Sequence, residues 1–138
     1  MSEPVVVHPP RVLEDPVRTA LEYLSEGFQI ISPDWKYLYV NPAAALHGRR
    51  DASTLIGTPV IQAYPGIDHT ELFGVLRRCM EQRTSAVVEN EFTFPDGTTQ
   101  WFELRIHPVP AGICIYSADI EHRKRPQPLV RRILNLFR

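Results

Sequence analysis

Apolar and polar residues alternate at period two through residues 87–94, 99–109 and 113–120, and two short turns, Pro95-Asp96-Gly97 and Pro110-Ala111-Gly112, separate the runs. Side chains of an extended strand point alternately to opposite faces, so each run reads as a strand with one face for a core and one for solvent. Turns this short return the chain beside itself, so the three runs are expected to lie next to one another.

The remainder of the chain has to cover that sheet. Asp15 followed by Pro16 is a helix start, with Val17, Ala20, Leu21 and Leu24 on one face and Gly27 as the stop. Two further strands, over 27–32 and 35–41, are separated by a Pro33-Asp34 turn, and Asn41 is the expected cap of the next helix. Short helical pieces follow through His47 and over 51–55. Asp68 and Glu71 then form a capping box for a long helix to about Arg83, on which Leu72, Val75, Leu76 and Cys79 recur at helical spacing. Pro4, Pro9 and Pro10 around Val5-Val6-Val7 suit an extended segment over 1–14. Pro126 and Pro128 interrupt any simple extension of the last strand. Leu129, Val130, Ile133, Leu134 and Phe137 share one face of a short tail helix, with Arg131, Arg132 and Arg138 largely elsewhere.

A chain of 138 residues that is 43% hydrophobic suits one core. Cys79 and Cys114 have no nearby Cys or His, which signals neither a disulfide framework nor a zinc site; both read as small buried hydrophobes. Six cations and no acid follow Glu121, which leaves nine cations against sixteen acids up to and including it and a net charge of −1 overall. A basic tail on an acidic body is an interaction signal, and the acidic body argues against nucleic-acid binding. No apolar run approaches a membrane span and no leader pattern is present, so a cytoplasmic protein is expected.

Gly27-Phe28-Gln29-Ile30-Ile31-Ser32 and the run ending in Asn41-Pro42-Ala43-Ala44 are similar to the first hairpin of the PAS family. Leu55-Ile56-Gly57 and Ala63-Tyr64-Pro65 resemble the variant of many bacterial sensor kinases. Asp96-Gly97, Trp101, Pro108, Gly112 and Asp119-Ile120 fall where that variant has its turn, strand Trp, strand-ending Pro, hairpin Gly and closing signal. Each piece alone is weak; the ordered set, from about 16 to 125, is specific. Glu121 departs from the pattern, standing where the closing signal usually has Thr.

The resemblance implies an α+β PAS fold: a five-stranded antiparallel sheet with short helices and one long helix on one face, an N-terminal amphipathic helix and a short basic C-terminal helix. It divides the chain into an extended segment (1–14), a PAS domain with its cap helix (15–121) and a basic amphipathic tail (122–138). It also implies a sensory or protein-interaction module in bacterial two-component signal transduction, working by a conformational change. The alternatives are a ligand-free dimerisation or adaptor domain, and a haem or flavin sensor.

An inner sheet face of Phe28, Ile30, Asn90, Phe92, Phe102 and Leu104, opposed by Leu46, Ile56, Leu72 and Leu76, would enclose an apolar cavity with one amide. That cavity would suit a small apolar ligand or none. Trp35, Trp101, Asn41 and Asn90 are the residues a flavin would recruit, and His69 is the weak candidate for a haem ligand. Cys79 lies outside the Asn-Cys-Arg-Phe context of flavin-adduct light sensors. No nucleophile–base pair, carboxylate pair, phosphate cradle or metal cluster stands out, and His122 reads as an ordinary exposed histidine, so no enzyme activity is expected. Trp101 and Arg105 mark the outer face as a homodimer surface, and Asp119 and Ile120 mark the route of output. Expected partners are a second copy and a signalling protein such as a histidine kinase or response regulator. The tail would touch a partner or an anionic membrane surface.

Overall fold

The computed structural model describes residues 15–124. In chain order the elements are α1 (Pro16–Tyr23), β1 (Gly27–Ile31), β2 (Tyr37–Val40), α2 (Pro42–Gly48), α3 (Ala52–Leu55), α4 (Val60–Ala63), a 3-10 turn (Ile67–His69), α5 (Glu71–Gln82), β3 (Ala86–Thr93), β4 (Thr99–Val109), β5 (Gly112–Asp119) and α6 (Glu121–Lys124). The strands form one antiparallel sheet in the order β2-β1-β5-β4-β3, the five-stranded arrangement anticipated above. The expected segment over 1–14 and the tail helix over 129–137 lie outside the described residues.

Local chemistry sets most element ends. The Asp15 side chain accepts from the Arg18 backbone N–H at 2.9 Å, starting α1 just before Pro16. That helix ends earlier than expected, at Tyr23, because Leu24 turns to an extended backbone before Gly27 is reached. The long helix α5 starts at Thr70 instead of Asp68: the Thr70 hydroxyl accepts from the Phe73 N–H at 3.2 Å, while Asp68 is held in the preceding 3-10 turn. At its other end Arg83 adopts the left-handed conformation (φ 56°) and its guanidinium donates to the carbonyls of Gly112, at 2.9 Å, and Val109. Helix α5 is thereby tied to the β4–β5 turn.

Ladder register decides which residues face the helices. Gln29 pairs with Ile115, Ile31 with Ile113, Ile106 with Ile115, Leu104 with Ser117 and Asn90 with Phe102. Residues opposite one another across antiparallel strands project to the same side, so these form the inner face. Ile106 and Ile113 are 0% exposed and pack with Phe73, Leu76, Cys79 and Met80 of α5.

Phe28 and Ile30 were expected on that face and lie on the other one. The Phe28 ring meets Tyr116 edge-on at 5.0 Å and Tyr39 at 6.1 Å on the outer side. The local sequence Ile30-Ile31 fits either parity, and the choice comes from β5, whose alternation pairs Ile31 with Ile113.

Two other expected cavity residues are also elsewhere. Leu46 is 77% exposed because α2 turns Ala44 and His47 inward, and Leu46 falls on a different side of the helix. Ile56 is 46% exposed and bridges to Tyr37 at the sheet's edge.

Candidate functional site

A cavity of about 90 Å³ lies between the inner sheet face and the helices. Leu72, Leu76, Asn90, Phe92, Phe102 and Leu104 line it, as do Gln29, His47, Tyr64 and Ser117, which the sequence reading did not single out. The walls are therefore apolar with a polar component larger than one amide.

His47 and Ser117 form the best-defined polar pair: Nδ1 and Oγ share a hydrogen bond at 2.9 Å. The imidazole also packs against Phe102, with ring centroids 5.0 Å apart. Burial holds the His47 pKa below its usual 6.5, partly opposed by the Asp119 carboxylate. The folded protein thus resists protonation at His47 more than the unfolded chain does, and stability drops as pH falls from about 6.5 through the lower folded value. In urea titrations at pH 7.5 and 5.5, His47→Asn is expected to show a smaller loss on acidification than the parent; an equal loss would place the acid sensitivity elsewhere.

Gln29 and Asn90 reach the cavity from β1 and β3, at either side of the sheet. Neither side-chain amide has a protein hydrogen-bond partner among the described residues. Both residues are half-buried and their amides stay open to water, so a molecule that displaces that water is favoured if it bonds them in its place. Tyr64 is already engaged, its hydroxyl donating to the Gly48 carbonyl at 3.0 Å.

The cavity opens toward a wider groove of about 900 Å³, and Gly48, Tyr64, Ile67, Leu72, Asn90 and Phe92 line both. Arg49, left-handed at the end of α2, crosses to the β3–β4 turn. Its guanidinium donates to the Thr98 hydroxyl at 2.6 Å, lies 3.5 Å from the Asp96 carboxylate and sits 3.6 Å from the Phe94 ring centre. Arg50 donates to the Ala63 carbonyl at 2.5 Å.

A large cofactor does not fit within the inner cavity alone. A volume of about 90 Å³ is far below the ~300 Å³ at which drug-sized pockets begin, and a flavin ring or a haem exceeds it. The side chain of His69 is 84% exposed in the 3-10 turn and does not line the cavity, and the groove is lined by neither His nor Cys. Trp35 stacks on Phe73 at 4.7 Å, Asn41 is buried in backbone hydrogen bonds and Trp101 lies on the outer face; of the four residues a flavin would recruit, Asn90 alone lines the cavity. Burial raises both cysteine thiols above their usual range. Among the described residues no group of His, Cys, Asp and Glu could hold a metal ion, and no helix is long and apolar enough to cross a membrane.

The end of β5 connects the cavity wall to α6. Ile120, 1% exposed, donates its N–H to the Trp101 carbonyl at 3.0 Å, and the Glu121 carboxylate accepts from the Trp101 N–H at 2.7 Å. Glu121 supplies the acceptor that β5 no longer offers once it has ended at Asp119. Asp119 accepts from Gln100 Nε2 at 2.8 Å and from the Glu121 N–H at 2.9 Å. Lys124 stands 4.7 Å from the centre of the Trp101 ring and 2.9 Å from the Glu89 carboxylate, and Arg123 lies 3.6 Å from Glu103. Phe102 and Ser117 line the cavity one and two residues from Trp101 and Asp119, so the wall and the joint share two strands. Arg105 lies apart from this joint, ion-paired with Glu26 on the outer face.

Comparison with solved structures places this geometry among known folds. An RNA-binding light-oxygen-voltage receptor superposes with a TM-score of 0.68 at 18% identity over 99% of this chain, which spans 40% of that protein. A domain of a sensory box sensor histidine kinase/response regulator from Geobacter sulfurreducens matches at 0.63 and 20% identity, over 79% of this chain and 96% of that one. The PAS domain of a LuxR-family transcriptional regulator from Burkholderia thailandensis, solved in complex with ethanol, matches at 0.59 and 19% identity, over 75% and 96%. At these identities the likeness establishes the fold alone. No curated protein matches the chain. The family model described as the PAS fold matches residues 21–125, most of the chain, and together with the sheet order and the covering helices this shows that the chain belongs to the PAS family, whose domains are typical sensory modules of signal transduction.

Proposed function

We propose that the protein is a sensory module that binds a small molecule in its inner cavity and passes the change in occupancy to the joint between β5 and α6. The observation that carries this reading is the continuity of the cavity wall with that joint: Phe102 and Ser117 line the one, while their neighbours Trp101 and Asp119 hold the other. Occupancy that shifts β4 relative to β5 changes the geometry in which Glu121 meets the Trp101 N–H, and the population of joint conformers shifts with it. The ethanol complex of a similar domain supports a small ligand over a large cofactor. A cytoplasmic, non-catalytic role beside a histidine kinase or response regulator is in keeping with this, as is a homodimer formed through the outer face. There Phe28, Tyr39 and Tyr116 cluster, and the buried Tyr39 hydroxyl lacks a hydrogen-bond partner among the described residues. The division of the chain into a leading segment, a domain and a basic tail belongs to the same proposal.

A thermal-shift screen of small molecules against the parent and Leu76→Phe tests the reading. Phe at position 76 takes up cavity space, so at least one compound should raise the parent's melting temperature and leave the variant's unchanged. Compounds that act equally on both would refute a cavity site and favour an interaction module. A visible absorption band in the purified protein would point to a coloured cofactor instead.

A further inference from the structure

We propose that the basic end of the chain, residues 125–138, docks on the chain's own sheet, over the outer face of β3 and β4, where Glu89, Glu91 and Glu103 flank Trp101. This surface is acidic by register. Glu89 stands directly opposite Glu103, and Glu91 opposite Trp101. All four project away from the cavity, since Asn90, Phe92, Phe102 and Leu104, at the alternate positions, line it. Like charges directly opposite one another on antiparallel strands repel, so the pair calls for cations above it. Helix α6 supplies two: Lys124 Nζ lies 2.9 Å from the Glu89 carboxylate, and the Arg123 guanidinium 3.6 Å from that of Glu103. Three glutamates meet two cations. Glu91 forms an ion pair with none among the described residues, and Arg105, the next cation on this face, is held by Glu26. The Glu89 and Glu103 side chains keep 42% and 30% of their surface open, which leaves room for further cations to approach.

The chain leaves the described residues at this same spot, with Lys124 4.7 Å from the centre of the Trp101 ring. Beyond it come four arginines, Arg125, Arg131, Arg132 and Arg138, and no acid, interleaved with apolar residues at helical spacing from Leu129 to Phe137. That composition complements the patch twice: guanidinium groups for the glutamates, and apolar side chains for the half-buried Trp101 and for Val87, which is 64% exposed on the same face. Length permits the contact. Arg131 is seven residues past Lys124, up to roughly 24 Å of chain, and the patch from Val87 to Glu91 is about 13 Å long. Exposed ion pairs are individually weak, but the tether holds the tail near the patch at an effective concentration on the order of millimolar, so a contact too weak to join separate molecules is populated. An anionic membrane approaching this face would meet the glutamates as well as the arginines, which favours the sheet as the occupant's partner. Phe28, Tyr39 and Tyr116 lie on the other half of the face, over β1, β2 and β5.

The test is paramagnetic broadening of NMR signals in the full chain, with a nitroxide on Asn135→Cys; Cys79 and Cys114 are buried, so the new thiol is the one that reacts. The amide signals of Val87, Glu89 and Glu91 should broaden most, and those of β2, roughly 19 Å away across four strand spacings, should broaden least. Broadening at the patch should fall by about half or more with Glu91→Lys, with Arg131→Gln/Arg132→Gln, and in salt of about 1 M, where screening sets in beyond about 3 Å. Unmoved β2 signals show that the variants keep the fold. Uniform weak broadening, or patch broadening that survives all three changes, would overturn the docking. Isotope-labelled chain without the nitroxide, mixed with unlabelled chain that carries it, separates the sources: broadening of the same amides there would move the tail to a second copy and overturn the contact within one chain. Patch amides left sharp while the nitroxide-bearing chain binds vesicles of phosphatidylserine and phosphatidylcholine would overturn it in favour of a membrane surface.

Discussion

Asn41→Leu is expected to lower stability by about 3–5 kcal/mol, the larger of two effects that follow from backbone groups with a single source of satisfaction. Asn41 is 0% exposed, and its side chain serves four main-chain groups. Its Oδ1 accepts from the Phe28 and Ala44 N–H groups, both at 2.8 Å, which starts α2 and pins β1. Its Nδ2 donates to the Leu21 carbonyl at 2.8 Å and the Glu26 carbonyl at 3.1 Å, which anchors the end of α1 and the link to β1. Leucine fills the space and serves none of them. Each stranded group costs about 1–3 kcal/mol where water cannot reach it, and the exposed α1 can recover part of that loss by fraying. Asn41→Asp separates the two roles: it keeps the acceptor but places a buried carboxylate against two carbonyls, so it should lose at least half as much. Urea midpoints with an unchanged slope are the measurement, and a loss under ~1 kcal/mol for Asn41→Leu would show that α1 is not held through Asn41.

Gly112→Ala is the second, expected to cost at least about 3 kcal/mol. Gly112 opens β5 at φ 147°, and a Cβ there would stand 2.0 Å from the Ile31 carbonyl oxygen and 3.0 Å from Ser32 Cα. Both neighbours are backbone of the adjacent central strand segment and cannot rotate away, while the Gly112 carbonyl is bonded by Arg83. Gly97→Ala is the control. It too has positive φ, 86°, but nothing lies within 4 Å of the added carbon, so only the conformational cost of about 1 kcal/mol remains. Equal losses in the two variants would mean that the close approach to Ile31 relaxes without cost.

Features written in local chemistry were legible in the sequence: the Asp15-Pro16 helix start, the Asn41 cap and the three-strand run with its two turns all depend on neighbouring residues alone. Those needing partners from elsewhere were not. The face of β1 was misread because Phe28, Ile30 and Ile31 are all apolar, and only pairing with β5 distinguishes them. The start of α5 was misread because Asp68 and Thr70 both satisfy capping chemistry, and the 3-10 turn takes Asp68. His47, Ser117 and Gln29 were passed over because a polar residue in an amphipathic element reads as solvent-facing. For Ser117 a signal existed, since it continues the period-two series of Ile113 and Ile115. Glu121 was seen only as a departure from the family pattern; its bond to the Trp101 N–H gives that departure a structural role.

The central claim is that the cavity and the β5–α6 joint move together, and amide hydrogen exchange at the joint tests it without knowledge of the ligand. Leu76→Phe imitates occupancy from the α5 side, on a residue that touches none of the joint. The account predicts that exchange of the Trp101 and Arg123 amides, bonded to the Glu121 carboxylate and the Ile120 carbonyl, changes about tenfold or more relative to the parent, while the Thr19 amide in α1 stays within twofold. Unchanged exchange at Trp101 and Arg123, in a variant whose cavity is shown to be filled, would contradict it.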